Sequence, residues 1–155
     1  MADIVNQNFF SPHKFQVVIA RFPNIEFFAQ DINIPGFSTD SVHIPTGAPN
    51  DFYEIGDKLK FNELKITFKL DEDMQTFKEI FNWSLLSQTK SRADFNPFSD
   101  ISLIALTNNS NTNFQYVVHN AFPYAMSDID MSTRISEDSP VVMTVFFKYS
   151  HYEIK

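Results

Sequence analysis

Phe61-Asn62-Glu63-Leu64-Lys65-Ile66-Thr67-Phe68-Lys69-Leu70 reads as a β-strand. Leu64, Ile66, Phe68 and Leu70 alternate with Glu63, Lys65, Thr67 and Lys69, the period of two that sends one face into a core and leaves the other in water. The pattern ends at Asp71-Glu72-Asp73. Acidic side chains there can accept hydrogen bonds from the free N–H groups of a helix start and offset its positive dipole end. Met74, Phe77, Phe81 and Leu85 then recur at helical spacing, predicting a helix over about 72–88 whose apolar stripe, widened by Ile80 and Trp83, lies against the sheet. A strand running straight into an aromatic helix fits a helix that plugs the open side of a β-sandwich or barrel.

Working outward toward the N-terminus, three more extended stretches are expected: Lys14 to Ala20, Ile25 to Ile32 and Phe37 to Ile44, punctuated by Phe22-Pro23-Asn24 and by the Pro35-Gly36 turn. Pro45 to Lys60 reads as an extended irregular loop, because Pro45, Gly47, Pro49, Asn50 and Gly56 interrupt every period. Phe52, Tyr53 and Ile55 lie inside it. Aromatics in a loop need a surface to touch, and both the chain's own domain and a neighbouring subunit would serve. On the C-terminal side, a polar loop over 89–100 leads to Ile101–Thr107. An Asn-rich turn, Asn108 to Asn113, joins that run to Phe114–Phe122, and Pro140 to Tyr152 forms the final strand. The sum is a mainly β fold, a sandwich or barrel of about seven strands with one flanking helix, in a single domain spanning 1–155.

Composition narrows the function. Of 155 residues, 43% are hydrophobic and 18 are Phe, enough for a sizeable core with aromatic surface left over for subunit contacts. A net charge of −7 argues against a protein that grips nucleic-acid phosphates, which takes clustered Lys and Arg. The closest basic grouping, Lys58, Lys60 and Lys65, reads as a solvated strand face. The absence of cysteine removes disulfides, thiolate metal sites and cysteine nucleophiles and fits assembly in a reducing cytoplasm. No window approaches the ~20 apolar residues of a membrane-crossing helix, and the first residues lack the pattern of a cleavable signal, so no membrane insertion is expected.

Chemistry-bearing motifs are not evident. His13, His43, His119 and His151 stand on separate segments without a metal-like spacing and read as structural or exposed. Gly36, Gly47 and Gly56 are too dispersed to cradle a phosphate. Asp71-Glu72-Asp73 lacks the glycine and spaced oxygens of a calcium loop, and Asp128 and Asp130 invite the same reading. A carboxylate pair meeting across strands, as in a glycosidase, is not legible from sequence. The expectation is a non-enzymatic chain with no catalytic, cofactor-binding or metal residues.

The order of elements carries a resemblance. His13-Lys14-Phe15-Gln16-Val17, Ile34-Pro35-Gly36-Phe37, Pro45-Thr46-Gly47, Gly56-Asp57 and a strand entering Asp71-Glu72-Asp73-Met74 are followed by a helix bearing Trp83, by Ala121-Phe122-Pro123 and by Phe146-Phe147-Lys148-Tyr149. Over nearly the whole chain this resembles the tail-tube proteins of contractile-tailed bacteriophages. The resemblance implies a virion tail component, assembled in the host cytoplasm, that forms hexameric rings whose inner strands join into one barrel and which stack through an extended loop. It implies no cofactor. The partners it implies are further copies of the chain, the tail sheath protein, baseplate or initiator and tail terminator proteins, and a tape measure protein in the lumen, with DNA passing unbound. Six copies at −7 each would repel DNA from a lumen wall. In that pattern Phe52, Tyr53 and Ile55 are the inter-ring anchors. Ser38, Asp40, Glu63 and Thr67 are the lumen-facing candidates, with Lys65 and Lys69 either paired with carboxylates or turned outward. Two alternatives remain: the tube or initiator subunit of a phage-derived injector (type VI secretion or bacteriocin-like), and a carbohydrate-binding β-module. The single Trp, Trp83, lies on the helix and not on a sugar-stacking strand, which counts against the latter.

Overall fold

The computed structural model describes residues 10, 12–23, 29–107, 109, 111–134 and 139–155. Within them, the alternating run of the central strand forms β5 (Leu64–Lys69), with Leu64, Ile66 and Phe68 fully buried. It pairs antiparallel with β8 (Val142–Lys148), whose Met143, Val145 and Phe147 fill the same interior, and with β2 (Ala29–Ile32) on its other edge. The remaining strands of this sheet are β1 (Phe15–Ile19), β6 (Ser99–Leu106), β7 (Thr112–Met126) and β9 (His151–Ile154). The order is β1-β6-β7-β8-β5-β2, with β9 alongside β7.

One long strand makes this sheet fold over a core. The first part of β7 pairs with β6 on one edge and β9 on the other, while Phe122 to Met126 pair with β8. The turn of direction falls at Asn120, whose φ of 56° lies in the left-handed region, one that asparagine tolerates better than most residues. Asn120 is held there by its N–H donating to Asp100 Oδ1 at 3.2 Å and its side chain donating to Ser150 Oγ at 3.1 Å. Val17 and Ile19 of β1, Ile101 and Leu103 of β6 and Tyr116 and Val118 of β7 thereby face the β5 and β8 side chains across one core.

The helix, α1 (Gln75–Thr89), starts where the acidic run predicts, but Asp71 alone caps it. Its carboxylate accepts from the N–H groups of Gln75 at 3.1 Å and Thr76 at 3.3 Å. Desolvation opposes the effect, yet these backbone donors hold the Asp71 carboxyl below the usual carboxylate range. The buried face is not the expected stripe. Thr76, Ile80 and Trp83 go inside, whereas Phe81 is 49% and Leu85 47% exposed. Trp83 sets this rotation: its ring packs on Phe22 and Phe147, and its Nε1–H donates to Pro97 O at 2.7 Å. Burying the largest side chain with its N–H satisfied leaves Phe77 partly buried against the core and turns Phe81 and Leu85 out toward solvent.

Two other expectations change. The described residues hold nine strands and not about seven. The C-terminal strand is divided at Tyr149-Ser150 into β8 and β9. Part of the supposed loop at 45–60 is β4 (Phe52–Phe61), which pairs with β3 (Phe37–Ile44) in a separate two-stranded sheet. The breakers Pro45, Gly47, Pro49 and Asn50 are confined to the turn between them, and Gly56 marks a bulge inside the strand. Of the expected strand at Ile25 to Ile32, residues 25–28 lie outside the described residues, as do Asn108 and Ser110 of the Asn-rich turn.

Candidate assembly surface

The β3–β4 ribbon is hydrogen-bonded to no strand of the larger sheet. Its root is fixed. Asn62 N–H donates to Gly36 O at 3.0 Å, Tyr149 Oη donates to Asn62 O at 2.6 Å, and the Phe61 ring lies 4.9 Å from that of Tyr152. Beyond the root almost every residue is exposed.

Register decides what each face presents. Ile44 sits opposite Phe52 and Val42 opposite Glu54 on one face, while His43 opposite Tyr53 and Ser41 opposite Ile55 occupy the other. The nominated anchors therefore do not share a face: Phe52 points one way, Tyr53 and Ile55 the other. All three are strongly exposed, at 67%, 66% and 85%. Phe37, Val42 and Leu59 add to the apolar surface; Phe37 and Val42 lie outside the 45–60 segment, and Leu59, between two lysines, reads as part of a polar run. An isolated two-stranded ribbon is marginal in water, and apolar side chains exposed on both of its faces mark it as a candidate contact surface.

The bulge also has a strict requirement. Between the pairs Thr39–Leu59 and Ser41–Ile55, Asp40 faces three residues of β4. A Cβ on Gly56 would meet the Asp40 backbone oxygen at 2.4 Å, so only glycine allows the strands this close. Asp40 also pairs with Lys60 at 2.8 Å on the ribbon surface.

The four lumen candidates are not gathered in one cluster. Ser38 and Asp40 are exposed on β3. Glu63 lies just before β5 and accepts a hydrogen bond from Tyr124 Oη. Thr67 is half-buried on the outer face of β5, its Oγ1 at 3.1 Å from that of Thr144 on β8. Lys65 and Lys69 are exposed on the same face of that strand as Thr67. The histidines are not all isolated: β7 and β9 place His119 directly beside His151, a meeting of distant segments that no sequence spacing announces. Among the described residues no helix is long and apolar enough to cross a membrane.

The site is thus a folded-over antiparallel sheet carrying a ribbon that is anchored at its root and exposes apolar side chains on both faces. The phage tail tube protein family model matches residues 6–155, and the chain belongs to that family. Solved structures share the fold at low identity. The sheath/tube terminator of PVC, an extracellular contractile injection system, in the extended state is 14% identical, with a TM-score of 0.76 over 97% of this chain and 99% of that one. The tube-terminating cap of the anti-feeding prophage is 15% identical, with a TM-score of 0.72 over 99% and 95%. A chain of the PVC sheath-tube complex in the extended state is 14% identical, with a TM-score of 0.72 over 97% and 93%. No curated protein matches the sequence.

Proposed function

We propose that this chain is the inner-tube subunit of a contractile phage-type tail, closing six-membered rings that stack through the β3–β4 ribbon into a conduit for DNA. The observation that carries the reading is the ribbon: Ile55, Phe52 and Tyr53 stand in water on two opposite faces although the body has a core able to take apolar side chains. β1 and β2 end the sheet order, each with one unpaired edge among the described residues, and ring closure would cover edges of this kind. Family membership supports the tube role, and the fold shared with sheath-tube and terminator subunits supports a place between sheath, baseplate and terminator. Ser38, Asp40, Glu63 and Thr67 are proposed to face the lumen, where a tape measure protein and then DNA would pass without a binding site. The shared fold with injection-system subunits favours one further reading, an injector tube that carries effectors in place of DNA.

Negative-stain electron microscopy of the purified protein across a concentration series, with light scattering for mass, tests this. Six-fold rings or hollow rods are expected. A chain that stays monomeric and also fails to polymerise on its cognate baseplate contradicts the tube role.

A further inference from the structure

His119 on β7 and His151 on β9 are directly opposed in the antiparallel register, so both project from one face of the sheet. Glu153, two residues along β9, returns to that face. The two imidazoles stack with centroids 4.8 Å apart and planes at 28°. One donor atom from each of His119, His151 and Glu153 can be chosen so that all lie within 4.8 Å of one another.

The environment of His119 gives this trio a direction. Its Nδ1 faces Asp100 Oδ2 at 3.4 Å, and Asp100 is itself fixed by the Asn120 N–H. A carboxylate beside Nδ1 favours the tautomer with the proton there, leaving a lone pair on Nε2. That Nε2 is shielded from solvent, has no hydrogen-bond partner and faces Glu153 Oε2 at 3.6 Å. Nε2 and Oε2 are therefore placed so that one metal ion between them could take a ligand atom from each. Two imidazoles and one carboxylate suit zinc and its first-row neighbours, whereas calcium and magnesium prefer all-oxygen shells. Ligands on a tetrahedral ion with bonds of about 2.0–2.1 Å sit roughly 3.3 Å apart. His151 and Glu153 are both exposed, and with His151 Nδ1 3.3 Å from Ser150 Oγ its Nε2 remains available, so small side-chain rotations would close the difference.

We propose that His119, His151 and Glu153 bind one divalent transition-metal ion of the zinc class, with Asp100 as the positioning residue behind His119. The ion would clamp β9, a strand of only four residues, onto β7. His43 and Asp51, 2.9 Å apart on the ribbon, supply two donors and, among the described residues, no third.

The test uses tag-free full-length protein, titrated with Co²⁺ for its visible absorption and with Zn²⁺ by calorimetry. One equivalent per chain, a Zn²⁺-dependent rise in melting temperature and displacement of the Co²⁺ bands by Zn²⁺ are expected. His151→Asn and Glu153→Gln, at exposed positions and checked for folding by circular dichroism, should each weaken Zn²⁺ binding at least tenfold. Asp100→Asn should weaken it about 10- to 100-fold, and His43→Asn should leave it unchanged. Absence of Co²⁺ bands, or binding that survives His151→Asn, overturns the site and leaves His119 as a side chain set between Asp100 and Glu153. Binding lost in His43→Asn instead would move it to the ribbon.

Discussion

The β5–β8 pair and the β3–β4 ribbon are built from similar residues and have opposite fates. Along β5, Leu64, Ile66 and Phe68 are completely hidden from solvent, beside Met143, Val145 and Phe147 of its neighbour within the same chain. Along β4, Phe52, Tyr53, Ile55 and Leu59 are as apolar and remain exposed. Burying a large apolar side chain is worth about 1.5–3 kcal/mol, so a ribbon left in water forgoes several such contributions. The difference teaches that the body's strands are completed within the chain, whereas the ribbon leaves its apolar side chains at the surface, where the proposed function has a neighbouring ring cover them. Stability and assembly should therefore come apart on mutation.

The largest break should come in the body. Phe68→Ala is expected to cost about 3–5 kcal/mol, read as a shift in the urea midpoint, because its site is sealed on all sides. Next is the corner of β7. Asn120→Val forces a β-branched residue into the left-handed region and should cost at least about 1–2 kcal/mol, whereas Asn120→Gly should stay much closer to wild type. In the ribbon, Ile55→Asp should move the monomer's stability by no more than about 0.5 kcal/mol while abolishing rods. Gly56→Ala should speed hydrogen exchange across 37–44 and 52–61 and leave exchange in β5 and β8 unaltered, since the clash with Asp40 is confined to the bulge.

The smallest effect concerns acid. The Asp71 carboxyl is held below its ordinary value by backbone donors, so its stabilisation of α1 is fully present above the unfolded pKa and lost as pH falls through the lower folded one. A thermal melt series below about pH 4 should show wild type losing this increment, while Asp71→Asn, already without it, shows a shallower dependence.

Much of the body was legible because one-dimensional pattern and three-dimensional burial coincide there: the alternation of Leu64, Ile66 and Phe68 states both the strand and its inner face. The helix was legible in extent but not in rotation, since the exposed Phe81 and Leu85 are as hydrophobic as the buried Ile80 and Trp83. The choice was made by the Trp83 N–H finding Pro97 and by rings contributed from Phe22 and Phe147. β4 was hidden by Gly56, which reads as a breaker but is a bulge residue whose need is visible only beside Asp40. Phe52, Tyr53 and Ile55 stood out as aromatics and aliphatics without a partner, yet their division between two faces depends on the register with β3. His119 and His151 could be joined only by topology.

The most direct test compares wild type and Phe52→Asp side by side, with melting temperature to confirm an intact body and negative-stain microscopy to score assembly. Equal melting temperatures with hollow rods for wild type and no stacked rings for the variant are predicted. Rods formed equally by both would contradict the claim that the ribbon is completed by neighbouring rings.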